Sequence, residues 1–136
     1  MKLNIRPLTE SDYEDTLVEW WKDWRWTPPP KDFLPDNGTG GFMVSDNDTP
    51  ICAGFFYITN SKVGWCEWVI SNMEYKNRKN RQQAFSLLID TLTNVCKKSG
   101  MRYVYALLHN KSLVNVYENL GFVQGSKYTT EMIKIL

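Results

Sequence analysis

Two short polar turns, Asp46-Asn47-Asp48 and Asn60-Ser61-Lys62, divide the stretch from Phe42 to Ser71 into three runs rich in aromatic and β-branched residues. Loops this short join neighbouring strands only in antiparallel fashion. The centre of the chain is therefore expected to be a meander with strands at Phe42 to Ser45, Ile51 to Thr59 and Val63 to Ser71. A sheet of this kind needs helices or a second sheet to cover its apolar faces, so the flanks decide the fold class.

On both flanks the apolar period changes to that of a helix. Asn4, Ile5 and Arg6 alternate into Pro7 as a short opening strand. Thr9 or Ser11 can then cap a helix carrying Leu17, Val18, Trp20, Trp21 and Trp24, with Glu10, Asp12, Glu14 and Asp15 in or near its first turn. Pro28, Pro29 and Pro30 end it, and Arg25 to Gly41 reads as a long loop or lid. After the meander, Phe85, Leu88, Ile89, Leu92, Val95 and Cys96 recur at helical spacing up to Gly100. Arg102 to Leu108 reads as a strand, Leu113, Val116, Tyr117 and Leu120 as a helix ending at Gly121, and Phe122 to Gln124 and Thr129 to Ile135 as closing strands. The expected order is β-α-β-β-β-α-β-α-β-β, an α/β domain spanning residues 1–136 with a mixed, mostly antiparallel central sheet flanked by helices.

Composition narrows the function classes. A net charge of +1 gives no broad basic face for a nucleic-acid duplex and no general attraction to a membrane. Cys52, Cys66 and Cys96 form no C-x-x-C pair and His109 is the single histidine, which argues against zinc. Cys52 and Cys66 lie in apolar runs and read as buried reduced thiols. Without a signal peptide or an apolar stretch long enough to span a bilayer, the expected location is cytoplasmic.

The most specific local pattern is Asn110, followed by Tyr117 and then Gly121-Phe122, directly after a strand. In this register the pattern resembles the GNAT (Gcn5-related N-acetyltransferase) family, and the resemblance extends from about Leu3 to the C-terminus. It implies transfer of an acetyl group from acetyl-coenzyme A to a primary amine of a small molecule or peptide. It also implies that Tyr117 lies near the thioester sulfur and can protonate the departing thiolate. Packing alone would make Tyr117 a core residue at a helix end. Asn110 reads either as a cofactor contact or as a strand-end turn former, and His109 as a strand-end polar residue.

The family binds the coenzyme A pyrophosphate at a helix N-terminus, where backbone N–H groups are exposed. The corresponding segment is Lys79-Asn80-Arg81-Gln82-Gln83-Ala84. Lys79 can replace the family's leading base and Ala84 fits the last position, whereas Gln82 stands where a glycine is usual. Gln83 precedes Ala84 in the same turn. Lys76, Arg78, Lys79 and Arg81 add a basic cluster that reads as phosphate ligands or as a solvated turn.

The strand Trp65-Cys66-Glu67-Trp68-Val69-Ile70-Ser71 matches the family strand that splays from its neighbour. There Val69, Ile70 and Ser71 would pair with the pantetheine arm, with an N–H near Val69 or Ile70 facing the developing oxyanion. Glu67 is the candidate general base, with a salt-bridged or edge-exposed carboxylate as the plainer reading. Period-two alternation sets Glu67 on one face with Val69 and Ser71. In the family the acceptor is shaped by the first helix and the loop after it. This makes Trp21 and Trp26 candidate acceptor contacts, with Trp20 and Trp24 packed on the sheet. Two other function classes fit the same residues: a nucleic-acid base-modifying enzyme of GNAT type, against which the charge balance argues, and a non-catalytic binding module. Exposed edge strands leave room for a homodimer.

Overall fold

The computed structural model describes residues 1–108, 110–127 and 130–136. Its sheet has five strands in sequence order: β1 (Leu3–Pro7), β2 (Gly41–Asp46), β3 (Thr49–Ile58), β4 (Val63–Ser71) and β5 (Tyr103–Tyr105). The first four are antiparallel to one another and β5 is parallel to β4, so the sheet is open, mixed and mostly antiparallel. A parallel neighbour needs a crossover, and α2 (Arg78–Lys98) supplies it.

Alternation along the meander sends apolar residues to both faces. Val44, Cys52 and Cys66 meet Ala84, Phe85, Leu88, Ile89 and Leu92 of α2, together with Val116 and Tyr117 of the short α3 (Val114–Asn119). Met43, Ala53, Phe55 and Ile70 meet Leu17, Trp20 and Trp21 on the opposite face. Those last three belong to α1, a continuous run that is α-helical over Glu10–Asp12, π-helical over Tyr13–Leu17 and α-helical again over Val18–Asp23. A capping box between Thr9 and Asp12 starts α1. Asp12 also accepts from Arg6 at 2.8 and 3.0 Å, tying the helix start to β1.

The expected order of elements is present from β1 through α3. The strand expected over Arg102 to Leu108 pairs only at Tyr103–Tyr105. Of the two closing strands, Phe122 to Gln124 is not in the sheet, and neither are residues 130–135 of the second; Tyr128 and Thr129 lie outside the described residues. The reason is a missing edge. β5 offers only three paired residues, and Val123, Met132 and Ile135 stand 89–93% exposed. An apolar alternation specifies a strand only where a neighbouring edge is there to pair with.

The register between β3 and β4 slips by one residue: Ala53 faces Ile70, whereas Phe55 faces Glu67. β4 thus carries an extra residue at Trp68-Val69, opposite Gly54, and Trp68 takes a left-handed φ of 56°. A Cβ on Gly54 would lie 3.0 Å from Val69 Cγ2 and 3.2 Å from Leu92 Cδ1, so the bulge and α2 close on a position that only glycine fills comfortably. The bulge corrects the simple alternation expected for this strand. Beyond it the faces exchange: Glu67 shares the α1 face with Ile70, while Val69 and Ser71 turn to the α2 face.

Candidate active site

β4 and β5 diverge. Their pairing ends at Trp65 and Tyr105, and among the described residues β4 has no strand partner on that side from Cys66 to Ser71. At this gap lies a cavity of about 320 Å³, lined by Glu67, Trp68 and Val69 of β4 and by Leu107 and Leu108 beyond β5. Asn110, Leu113 and Tyr117 close it on the α3 side, Trp26 and Thr27 on the loop side, and Glu131 from the C-terminal segment. Since Glu67 belongs to the α1 face and Tyr117 to the α2 face, the cavity passes through the sheet.

Glu67 accepts the backbone N–H of Leu107, and burial, reinforced by the nearby charge of Glu131, pushes its carboxyl up to about 7. Desolvation is the largest cause, and the Leu107 hydrogen bond opposes it. A carboxyl so placed is half ionised at neutral pH and is a stronger base than an exposed one.

Tyr117 is 3% exposed, stands edge-on to Phe122 at 5.1 Å, and its hydroxyl has no hydrogen-bond partner among the described residues. Burial raises the phenol far above its ordinary value, with the neighbouring Cys66, Glu67 and Cys52 adding to the effect. It therefore remains a neutral O–H donor, and one without an acceptor among the described residues, an arrangement that is expensive for a buried polar group. Local geometry explains its position. Asn110 accepts from Ser112 N at 3.0 Å and Ser112 Oγ at 2.8 Å, starting a 3-10 turn that runs into α3, and Gly121 at φ 97° reverses the chain. Asn110 is thus a turn former that also borders the cavity.

Of the residues singled out from sequence, the cavity brings together Glu67, Val69, Asn110, Tyr117 and Trp26. Ile70 and Ser71 are buried, and the Ser71 carbonyl already accepts the Trp24 indole N–H at 2.8 Å. Trp21, expected at the acceptor site, is instead a core residue. It is fully enclosed between Tyr13 at 6.3 Å and Trp68 at 6.4 Å, and it does not line the cavity. The basic cluster stands apart at the start of α2, where the Asn77 side chain accepts from Asn80 N at 3.0 Å. Arg78, Lys79, Gln82 and Gln83 are exposed there, Arg81 donates to the Tyr75 carbonyl at 3.2 Å, and Ala84 is wholly buried against the sheet.

Sequence reasoning did not find Trp68, Leu107 or Glu131 as cavity residues. A tryptophan carries no mark of a left-handed backbone, and Glu131 belongs to a run read as a closing strand. Trp68 flanks Glu67 in the motif strand, which is the one signal that pointed near it.

No protein-family model and no curated protein matches the sequence. Solved structures do match over nearly the whole chain. Glucosamine-6-phosphate N-acetyltransferase from Arabidopsis thaliana is 13% identical over 98% of this chain and 100% of that one, with a TM-score of 0.67. AAC(6')-Iy in complex with the bisubstrate analogue CoA-S-monomethyl-acetylneamine is 15% identical over 99% and 100%, with a TM-score of 0.68. A GCN5-related N-acetyltransferase from Ralstonia eutropha is 13% identical over 96% and 99%, with a TM-score of 0.67. The fold is that of the GNAT N-acetyltransferases.

Proposed function

We propose that this chain is an acetyl-coenzyme A-dependent N-acetyltransferase whose acceptor is a primary amine. One observation carries the reading: Glu67 and Tyr117, whose buried hydroxyl has no partner among the described residues, line a single cavity where β4 parts from β5. The cavity's donors suit a thioester. Among the described residues Tyr117 lacks an acceptor and β4 has no strand partner on its open side after Trp65, and outside the cavity the start of α2 offers Arg78 and Lys79 to phosphate. A neighbouring structure of the same fold holds a coenzyme A conjugate.

The thioester supplies an acyl carbon open to attack and a thiolate leaving group. The amine must be neutral to attack, and Glu67, poised near 7, takes the proton that nitrogen loses as the C–N bond forms. Negative charge developing on the carbonyl oxygen is met by a backbone N–H near Val69 or Ile70, beside the bulge. As the C–S bond breaks, the Tyr117 O–H donates to the departing sulfur. The products are an amide and a thiolate that the Tyr117 O–H stabilises by its hydrogen bond until solvent protonates it; Glu67 returns the amine's proton to solvent, so no net proton is gained or lost. Holding both reactants in one gap supplies much of the acceleration.

Titration of acetyl-coenzyme A into the purified protein by calorimetry is the direct test. Binding on the order of −7 to −8 kcal/mol is expected, together with thiol release when an amine is added. No heat and no shift in melting temperature would remove the proposal.

A further inference from the structure

A second cavity of about 300 Å³ lies on the α1 face beside the first and shares Glu67, Trp68 and Glu131 with it. Its other walls are Phe33, Tyr57, Thr59 and Trp65. Four of these seven residues are aromatic and two are carboxylates, and among the described residues no lysine or arginine lines either cavity.

The aromatic walls are held in place. Tyr57 and Trp65 face each other across the β3–β4 register, and Trp65 lies 4.3 Å from the ring of Tyr105 on β5. Phe33 meets Trp68 edge-on at 5.8 Å and 82°. The Trp68 indole N–H donates to the Tyr57 hydroxyl, which in turn donates to the Phe33 carbonyl at 3.0 Å. The long loop after α1 is thereby fastened over the box, and the left-handed turn at Trp68 is what brings its ring between the two cavities.

Aromatic faces and carboxylates share one complement, a cation. An ammonium within about 6 Å of such rings is attracted by their quadrupoles, and more strongly where water is excluded. The charge of Glu131 disfavours ionisation of Glu67, so a positive charge between the two carboxylates offsets that repulsion. An acceptor with a phosphate or carboxylate would meet two acids and no base. A purely hydrocarbon tail would bury carboxylates without a partner.

We infer that the acceptor is an aliphatic diamine or polyamine, with one neutral nitrogen reacting beside Glu67 in the gap and a second, protonated nitrogen seated in the aromatic box against Glu131. The reacting end rests on the N-acetyltransferase reading above; the cation seat does not.

The test uses the full chain and three probes: spermidine, 1,4-diaminobutane and butylamine. Indole fluorescence is followed first without acetyl-coenzyme A, and thiol release is then measured with it. The di- and polyamines should bind about tenfold or more tighter than butylamine, and salt should shrink that advantage. Trp65→Leu and Glu131→Gln, checked for folding by circular dichroism, should each lose most of the preference, with a larger rise in KM for diamines than for butylamine. Equal binding of butylamine, or full preference retained in both folded variants, would overturn the inference. The two readings fail separately. A diamine preference without acetyl-coenzyme A binding leaves the seat standing and removes the transferase. Acetylation of butylamine as readily as of the diamines leaves the transferase standing and removes the seat.

Discussion

Burial pushes both Glu67 and Tyr117 upward, with opposite consequences for their chemistry. For the carboxyl it brings the proton affinity into the range where a base is useful at neutral pH. For the phenol it moves proton affinity well past that of a thiol, ordinarily about 8.5. Complete proton transfer from Tyr117 is then uphill, and its main contribution is a strong hydrogen bond to sulfur as charge develops there. Tyr117→Phe should lower turnover by about 10²-fold, with acetyl-coenzyme A affinity moving by less than roughly 1 kcal/mol. Because the hydroxyl has no partner among the described residues, its removal should leave the melting temperature equal or higher. A turnover unchanged in the folded variant would make Tyr117 a core residue only. Glu67→Gln should cost about 10²-fold in rate at pH 8 and abolish the rise in rate through pH about 7 that is expected of the parent. If the rise persists, another group is the base. Both residues were singled out in the sequence through the family resemblance, Tyr117 by its register with Asn110 and Gly121-Phe122 and Glu67 by its place on the matching strand. Trp68 was not, since its contribution comes from a backbone angle that no side chain announces.

Among the elements, the meander was legible almost to the residue, because short polar turns leave β2, β3 and β4 little freedom in where they begin and end. The bulge was not, and it changes which face each residue of β4 serves. The closing strands were misread because an alternating apolar run says nothing about whether β5 has an edge long enough to receive it. The start of α2 was legible as a basic helix N-terminus, and its side chains divide into two kinds. Lys79 is exposed, whereas the Arg81 guanidinium is committed to the Tyr75 carbonyl. Lys79→Ala should therefore weaken acetyl-coenzyme A binding by about 1–3 kcal/mol without altering the melting temperature. Arg81→Ala should lower the melting temperature as well. Calorimetry and thermal melts on the two variants separate these effects. Unchanged binding in both would put the phosphate site elsewhere.

For the molecule as a whole, two perturbed carboxyls inside the fold, Asp12 and Glu67, pull stability in opposite directions as pH changes. Asp12 is held below its ordinary range, chiefly by its hydrogen bonds from Arg6, and its contribution is present above about 3.8 and lost as pH falls further. Glu67 is raised from 4.5 to about 7, so between those values the folded chain binds more protons than the unfolded one. Its contribution is complete below 4.5 and declines as pH rises through 7, with a slope of at most about 1.4 kcal/mol per pH unit for one proton. Stability is therefore expected to be greatest near pH 5 and to fall toward pH 8. Glu67→Gln removes the titrating group and keeps the shape, so the variant should match the parent closely near pH 4.5 and exceed it by pH 8. Comparing the two proteins cancels the titration of every group they share. Thermal melts across this range decide the matter. Two curves that stay parallel would mean that Glu67 is not desolvated in solution. That result would also weaken its assignment as the base, because the same burial underlies both.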